Sequence, residues 1–288
     1  MAVRDLGVRP YAGDRLPASR NRWVLLRLGL RRAWRSWLVK LAVFFFWVPG
    51  LTGAVQLWLV AWLIAQNPEM AAAEAPIVPS GAMVSGVLDW TVWLQGFALT
   101  LGAGAGLVAG DRSQEALPFF LSKPVTPADY LLGHAAAIGL GVTLLLVANG
   151  VLVVGAGLLP TVPPGQRVEA VGLLFPVLIH ATLVRLVLGV SSVAVGALGR
   201  SRALTVTAWA LLFVVPSLLG SLVETLADQP WLLLGSIPAL LRVVGDALFK
   251  VEPANALRVW HALPVLALLV GGLGLLAHRR IARTEVVA

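Results

Sequence analysis

Six apolar runs, each long enough to cross a bilayer as helix, occupy most of this 288-residue chain. Crossing about 30 Å of hydrocarbon takes about 20 apolar residues in helical form, because lipid offers no partner for an open backbone group. The runs fall at roughly 37–64, 87–110, 132–159, 170–198, 203–222 and 260–278. Hydrophobic residues make up 58% of the chain and charged residues 12%, which excludes an ordinary soluble domain. The expected fold is all-α: a polytopic membrane protein with six transmembrane helices, an N-terminal amphipathic interfacial helix, and re-entrant or outer helices before the last span. No separate soluble domain fits between the runs.

Orientation follows from the basic residues, which are retained preferentially on the cytoplasmic side of short flanking segments. Ten of the 22 precede residue 41. With the N-terminus inside, Arg112, Lys123, Arg200, Arg202, Arg279, Arg280 and Arg283 also fall inside, giving 17 against the four outside, Arg167, Arg242, Lys250 and Arg258. Arg185 lies within a span. Both termini are therefore expected on the cytoplasmic face of the plasma or inner membrane. The net charge of +8 borders apolar spans instead of forming a face of a folded domain, so nucleic acid is not an expected partner and membrane lipid is. The first apolar run lies too far from Met1, and is too long, for a cleaved leader. Cysteine is absent, which removes disulfides and thiolate chemistry.

Residues 1–20 read as a tail and 282–288 as a second one, with the membrane domain at 37–281. Between tail and domain, 21–36 places Trp23, Leu26, Leu30, Ala33 or Trp34 and Trp37 at helical spacing, with Arg27, Arg31 and Arg35 on another face. Such a helix lies in the interface, its apolar side in the headgroup boundary and its arginines toward anionic lipid or an acidic partner surface. The alternative is a plain positive flank. In the first span Pro49-Gly50 predicts a kink. In the second, Gly102, Gly106 and Gly110 recur every four residues, a spacing that lets helix backbones approach closely.

The conspicuous polar interruption is residues 110–134. Asp111, Arg112 and Glu115 suit a short helix start beyond the bilayer. Leu117, Pro118, Phe119, Phe120 and Leu121 form an apolar knob, and Lys123-Pro124 stops it. Thr126 is placed to cap a helix beginning at Pro127, with Asp129 completing an approximate capping box. On periodicity alone this is equally a docking element or an amphipathic connector.

The runs Asp111-Arg112-Ser113-Gln114-Glu115-Ala116-Leu117, Leu121-Ser122-Lys123-Pro124-Val125 and Tyr130-Leu131-Leu132-Gly133-His134 resemble the cytosolic loop of ABC transporter type 2 permeases. That family typically shows Gly-Thr where Glu115-Ala116 stands, and lysine where His134 stands. The resemblance extends more weakly to the amphipathic start, the six spans and the Arg-rich end. It implies a permease subunit that pairs with a second permease copy, identical or related, and is driven by a separate ABC ATP-binding subunit. ATP and Mg would sit on that partner, with no cofactor on this chain. The coupling loop would span 111–131, its ATPase contacts drawn from Asp111, Arg112, Glu115, Leu117, Pro118, Phe119, Phe120, Lys123 and Pro124. The residues themselves agree that no P-loop is present: none of Lys40, Lys123 and Lys250 follows a glycine.

Residues 223–259 carry Arg242, Asp246 and Lys250 among apolar pieces, and a seventh crossing would reverse the charge assignment at the C-terminus. Outer helices, lining an exit route or forming a passive lid, fit better. Arg185 sits mid-span, where an arginine needs carbonyls, water or a counter-charge. Substrate contact and a structural tie, for instance to Asn149, are both open. His180 reads as a satisfied helix-interface histidine. Two further function classes remain: an ATP-independent secondary transporter, for which only Arg185 is clearly central, and an intramembrane enzyme. The four histidines lie in no HExxH and no GxSxG elbow occurs, so catalysis by this chain is not expected.

Overall fold

The computed structural model describes residues 19–66, 78–113, 125–158, 162, 164–253 and 255–283. Both tails, the 67–77 connection and residues 114–124 of the polar segment lie outside the described residues. Among the described residues every element is helical. We number them α1 (Ser19–Ala33), α2 (Trp37–Phe44), α3 (Val48–Gln66), α4 (Gly81–Ser113), α5 (Pro127–Ala156), α6 (Pro164–Gly172), α7 (Leu174–Leu198), α8 (Arg202–Ala227), α9 (Ile237–Leu248) and α10 (Val259–Ala282). Six helical stretches are long and apolar enough to cross a membrane, α2 with α3, α4, α5, α6 with α7, α8 and α10. The chain is an all-α polytopic membrane protein.

The best-buried spans are α4 and α5, and α5 packs most extensively on α7. Their contact is close because small residues sit at the crossing: a Cβ added to Gly189 would fall 2.7 Å from the Ala135 carbonyl oxygen. By contrast α8 and α10 keep most of their apolar surface exposed. One end of the bundle collects α1, the end of α4, the start of α5, the α7–α8 turn and the end of α10. Its arginines make it the basic end.

The first span is interrupted, but one turn before the proline. α2 stops at Phe44, residues 45–47 turn, and Pro49 falls in the first turn of α3, where its missing N–H costs no helical bond. The helix therefore breaks where the expected kink would have begun. α4 contains two π-helical segments, Val92–Gly96 and Thr100–Gly104.

Residues 223–259 form no seventh span. α8 continues to Ala227, a 3-10 turn covers Pro230–Gly235, and α9 is only 12 residues long. Leu240, Leu241, Val243 and Val244 bury one side of α9, while Arg242 looks outward. This is an outer helix lying on the end of the bundle opposite the basic one.

Candidate functional site: the clamp at the basic end

α5 starts where local chemistry dictates. Thr126 has extended backbone, its hydroxyl accepts from the Asp129 N–H at 3.1 Å, and Pro127 takes the first helical position. The same hydroxyl donates to the Asp129 carboxylate at 2.8 Å, so Asp129 is oriented before any distant residue arrives. Arg22 of α1 then meets the other carboxylate oxygen at 2.5 Å.

The other foot of the polar segment is held by the same helix. Arg32 of α1 meets Asp111 at 2.5 Å, and the Tyr130 hydroxyl donates to the second Asp111 oxygen at 2.7 Å. Both carboxylates are largely buried, Asp111 with 5% of its side chain exposed and Asp129 with 10%. A carboxylate at such a position requires a cationic or hydrogen-bonding partner, and α1 supplies one to each. α1 thus clamps the residues that flank 114–124 on both sides.

α1 reaches this position by close packing. Leu25, Gly29 and Ala33 form its buried stripe, and side chains added at Gly29 or Gly133 would meet Ala137 and Leu25 at 2.8 and 2.6 Å. The side that docks on the bundle is not the tryptophan side. Trp23, Trp34 and Trp37 stay more than half exposed, and the docked stripe is rotated away from them. Arg27, Arg31 and Arg35 are exposed, as the amphipathic pattern required.

Of the coupling residues expected from the sequence, Asp111 and Arg112 are described. Glu115, Leu117, Pro118, Phe119, Phe120, Lys123 and Pro124 lie outside the described residues. Asp111 is engaged within the chain by Arg32 and Tyr130, which fixes the end of α4 from which the segment leaves. Arg112 donates to the carbonyl oxygens of Ala197 and Gly199 at 3.1 and 3.2 Å, closing the end of α7 where helix carbonyls lack intrahelical partners. His134 is fully buried, its Nδ1 donating to the Tyr130 carbonyl at 2.9 Å.

A second polar constellation lies inside the membrane domain. Gln95 donates through Nε2 to the carbonyls of Phe45 and Phe46 at 2.9 and 3.1 Å, the groups exposed by the break between α2 and α3. Asn149 donates to Gln95 Oε1 at 3.1 Å and accepts the Gly50 N–H at 2.7 Å. Gly50 is a required small residue, since a Cβ there would lie 2.8 Å from Asn149 Oδ1. Two amides thus satisfy the backbone groups of an interrupted span, as a membrane interior demands. Sequence reasoning missed this pairing; uncharged amides inside two apolar runs were the available signal.

The glycine stripe does not act as one face. Gly102 lies against Ser36 and Leu38, Gly106 lies near Arg202, and Gly110 has open space. The tightest contact is at Gly104, which faces Ser192 of α7. With the π-helical turn at 100–104 intervening, the four-residue spacing no longer marks a single side.

Of the two readings open for Arg185 the structural tie is not made among the described residues, and His180 departs from expectation. Arg185 is exposed and makes no hydrogen bond or ion pair among the described residues, and Asn149 is occupied by Gln95 and Gly50. His180 is buried against Gly245, with Phe249 edge-on at 6.5 Å, but its Nδ1 has no hydrogen-bond partner among the described residues. It is an interface histidine, not a satisfied one. No model of a known protein family matches this chain, and no curated protein matches it.

Proposed function

We propose that the chain is the transmembrane permease subunit of an ABC-type transporter, moving its substrate across the cytoplasmic membrane with energy from a separate ATP-binding subunit. The observation that carries this reading is the clamp. α1 fastens both feet of the 114–124 segment through Arg22–Asp129 and Arg32–Asp111, so a load applied to that segment reaches three helices together. A partner drives a two-state bundle only if it contacts a rigid part of it differently in each state, and a connector with both feet tied meets that need.

In this reading the basic end and both termini are cytoplasmic, a second permease copy completes the membrane unit, and ATP and Mg are held by the ATPase. Purification of the tagged chain from its native membrane in mild detergent, followed by mass spectrometry, tests it. A near-stoichiometric ATP-binding subunit that is lost when Leu117 and Phe120 are replaced by glutamate is the expected result. Recovery of the chain without any ATPase after crosslinking overturns it.

An ATP-independent carrier is the second reading, favoured by the interrupted first span, since carriers place binding sites at broken helices. Against it, the carbonyls freed by that break are already bonded to Gln95.

A further inference from the structure

We propose that the face formed by α5, α7 and α10 binds an anionic amphiphile, with the Arg185 guanidinium taking the charged group and the groove below it taking the apolar chain. The inference rests on the transport reading and adds a substrate class to it.

Depth comes first. Arg185 follows the start of α7 by 11 residues and precedes its end by 13, or about 17 and 20 Å of helical rise. A guanidinium exposed at that depth with nothing to bind is strongly disfavoured in hydrocarbon. The counter-charge does not come from this chain as described. Asp111 and Asp129 are taken by Arg32 and Arg22, Asp89 and Asp246 face Arg242 at 3.8 and 3.7 Å, and Glu224 accepts from Asn255 at 2.7 Å. Glu169 on α6, Asp228 after α8 and Glu252 after α9 lie at the end opposite the basic one, Glu169 about 24 Å of helical rise from Arg185. In a second copy Glu169, Asp228 and Glu252 stand at the same end, opposite the basic one, and not at the depth of Arg185. An anionic ligand remains, and the planar guanidinium suits a phosphate or carboxylate.

The groove supplies the rest of the site. A cavity of about 270 Å³ opens between the three helices, lined by Leu132, Ala135, Val190, Ala194, Leu275 and His278 among others. Gly139 stands one helical turn beyond Ala135 on the same side of α5, and the stem of Arg185 lies across it: a Cβ at Gly139 would fall 2.6 Å from Arg185 Cγ. The stem of Arg185 therefore lies one helical turn beyond the apolar groove, whose lining runs to His278 beside the basic last turn of α10. Charge at one end and a dry wall along the rest is the complement of a headgroup with an acyl chain.

The test uses the full chain in a nonionic detergent, with dodecyl phosphate as probe and binding read by calorimetry. Arg185→Gln is expected to weaken binding about tenfold or more. Arg185→Lys should recover part of the loss, and Leu132→Trp, which fills the groove and leaves Arg185 in place, should weaken binding too. Dodecyltrimethylammonium and inorganic phosphate alone should bind poorly. Equal affinity for dodecyl phosphate in the wild type and Arg185→Gln overturns the proposal, as does equally tight binding of the cationic amphiphile. Because the chain has no cysteine, Thr182→Cys on the same exposed face gives a further check. High-yield disulfide formation between copies in the membrane would make this face a subunit contact and overturn the proposal. None of these readouts needs an ATPase, so failure here leaves the co-purification result standing, and the reverse also holds.

Discussion

Arg32 and Asp111, 79 residues apart in the chain, meet at 2.5 Å, and through that contact the first helix holds the last turn of α4. Arg22 and Asp129 repeat the arrangement at the start of α5, but with 63% of the arginine side chain exposed against 29% for Arg32. The two pairs look alike and differ in energetic weight, because solvent screens Arg22–Asp129 far more than Arg32–Asp111.

Removing one partner separates them. Asp111→Ala removes the buried carboxylate that Arg32 and the Tyr130 hydroxyl share and should destabilise the protein by about 3 kcal/mol. Arg22→Ala should cost under about 1 kcal/mol, in line with an exposed pair. Thermal unfolding in detergent reads the difference, and limited proteolysis should show α1 released in the first variant only. Equal shifts in both would sink the distinction.

The amide pair yields to a double-mutant cycle. Gln95→Ala and Asn149→Ala should each destabilise, and together by less than their sum, with a coupling of about 0.5–1.5 kcal/mol, the range typical of hydrogen bonds inside membranes. Additive effects would mean that the Gln95–Asn149 bond contributes nothing of its own.

Glycine-to-alanine substitutions along α4 should give unequal results in spite of equal spacing. Gly104→Ala drives a methyl group into Ser192 and should cost about 1–3 kcal/mol, the usual penalty for overpacking. Gly110→Ala meets open space and should be neutral or slightly stabilising through helix propensity. A comparable loss at both positions, read by melting temperature, would show that the stripe is one packing face after all.

Lys250 ends α9 in the left-handed region, φ 57°, and Asp228 ends α8 likewise, φ 52°. Glycine occupies that conformation without a Cβ penalty, so Lys250→Gly should stabilise by about 0.5–1 kcal/mol. A lower melting temperature for this variant would mean that the lysine side chain makes a contact worth more than the strain it carries.

The spans were legible in the sequence because a bilayer forces each crossing to close its hydrogen bonds within one apolar segment. Their ends were less so. α4 begins at Gly81 because the Ser80 hydroxyl accepts from the Met83 N–H, a cap that an apolar-run reading passes over. Thr126, Pro127 and Asp129 were readable because a cap is a contact between neighbours in sequence. Arg22–Asp129 and Arg32–Asp111 were not, because each joins residues 107 and 79 positions apart and depends on how α1 lies on α5. The π-helical segments of α4 leave no residue signature, and they are what turned a regular glycine spacing into two unrelated contacts and one open position.

Those wide turns set something that no single side chain sets. Each accommodates one residue more than an α-turn, and everything beyond it is advanced by one residue's angle, about 100°. One of them, Thr100–Gly104, lies between Gln95 and Asp111, so the aim of the carboxylate at α1 and the aim of the amide at Asn149 agree only at this length of helix. Deleting one residue between 97 and 104 would leave both side chains in the sequence and swing one of them off its target. The two polar clusters are synchronised by a count.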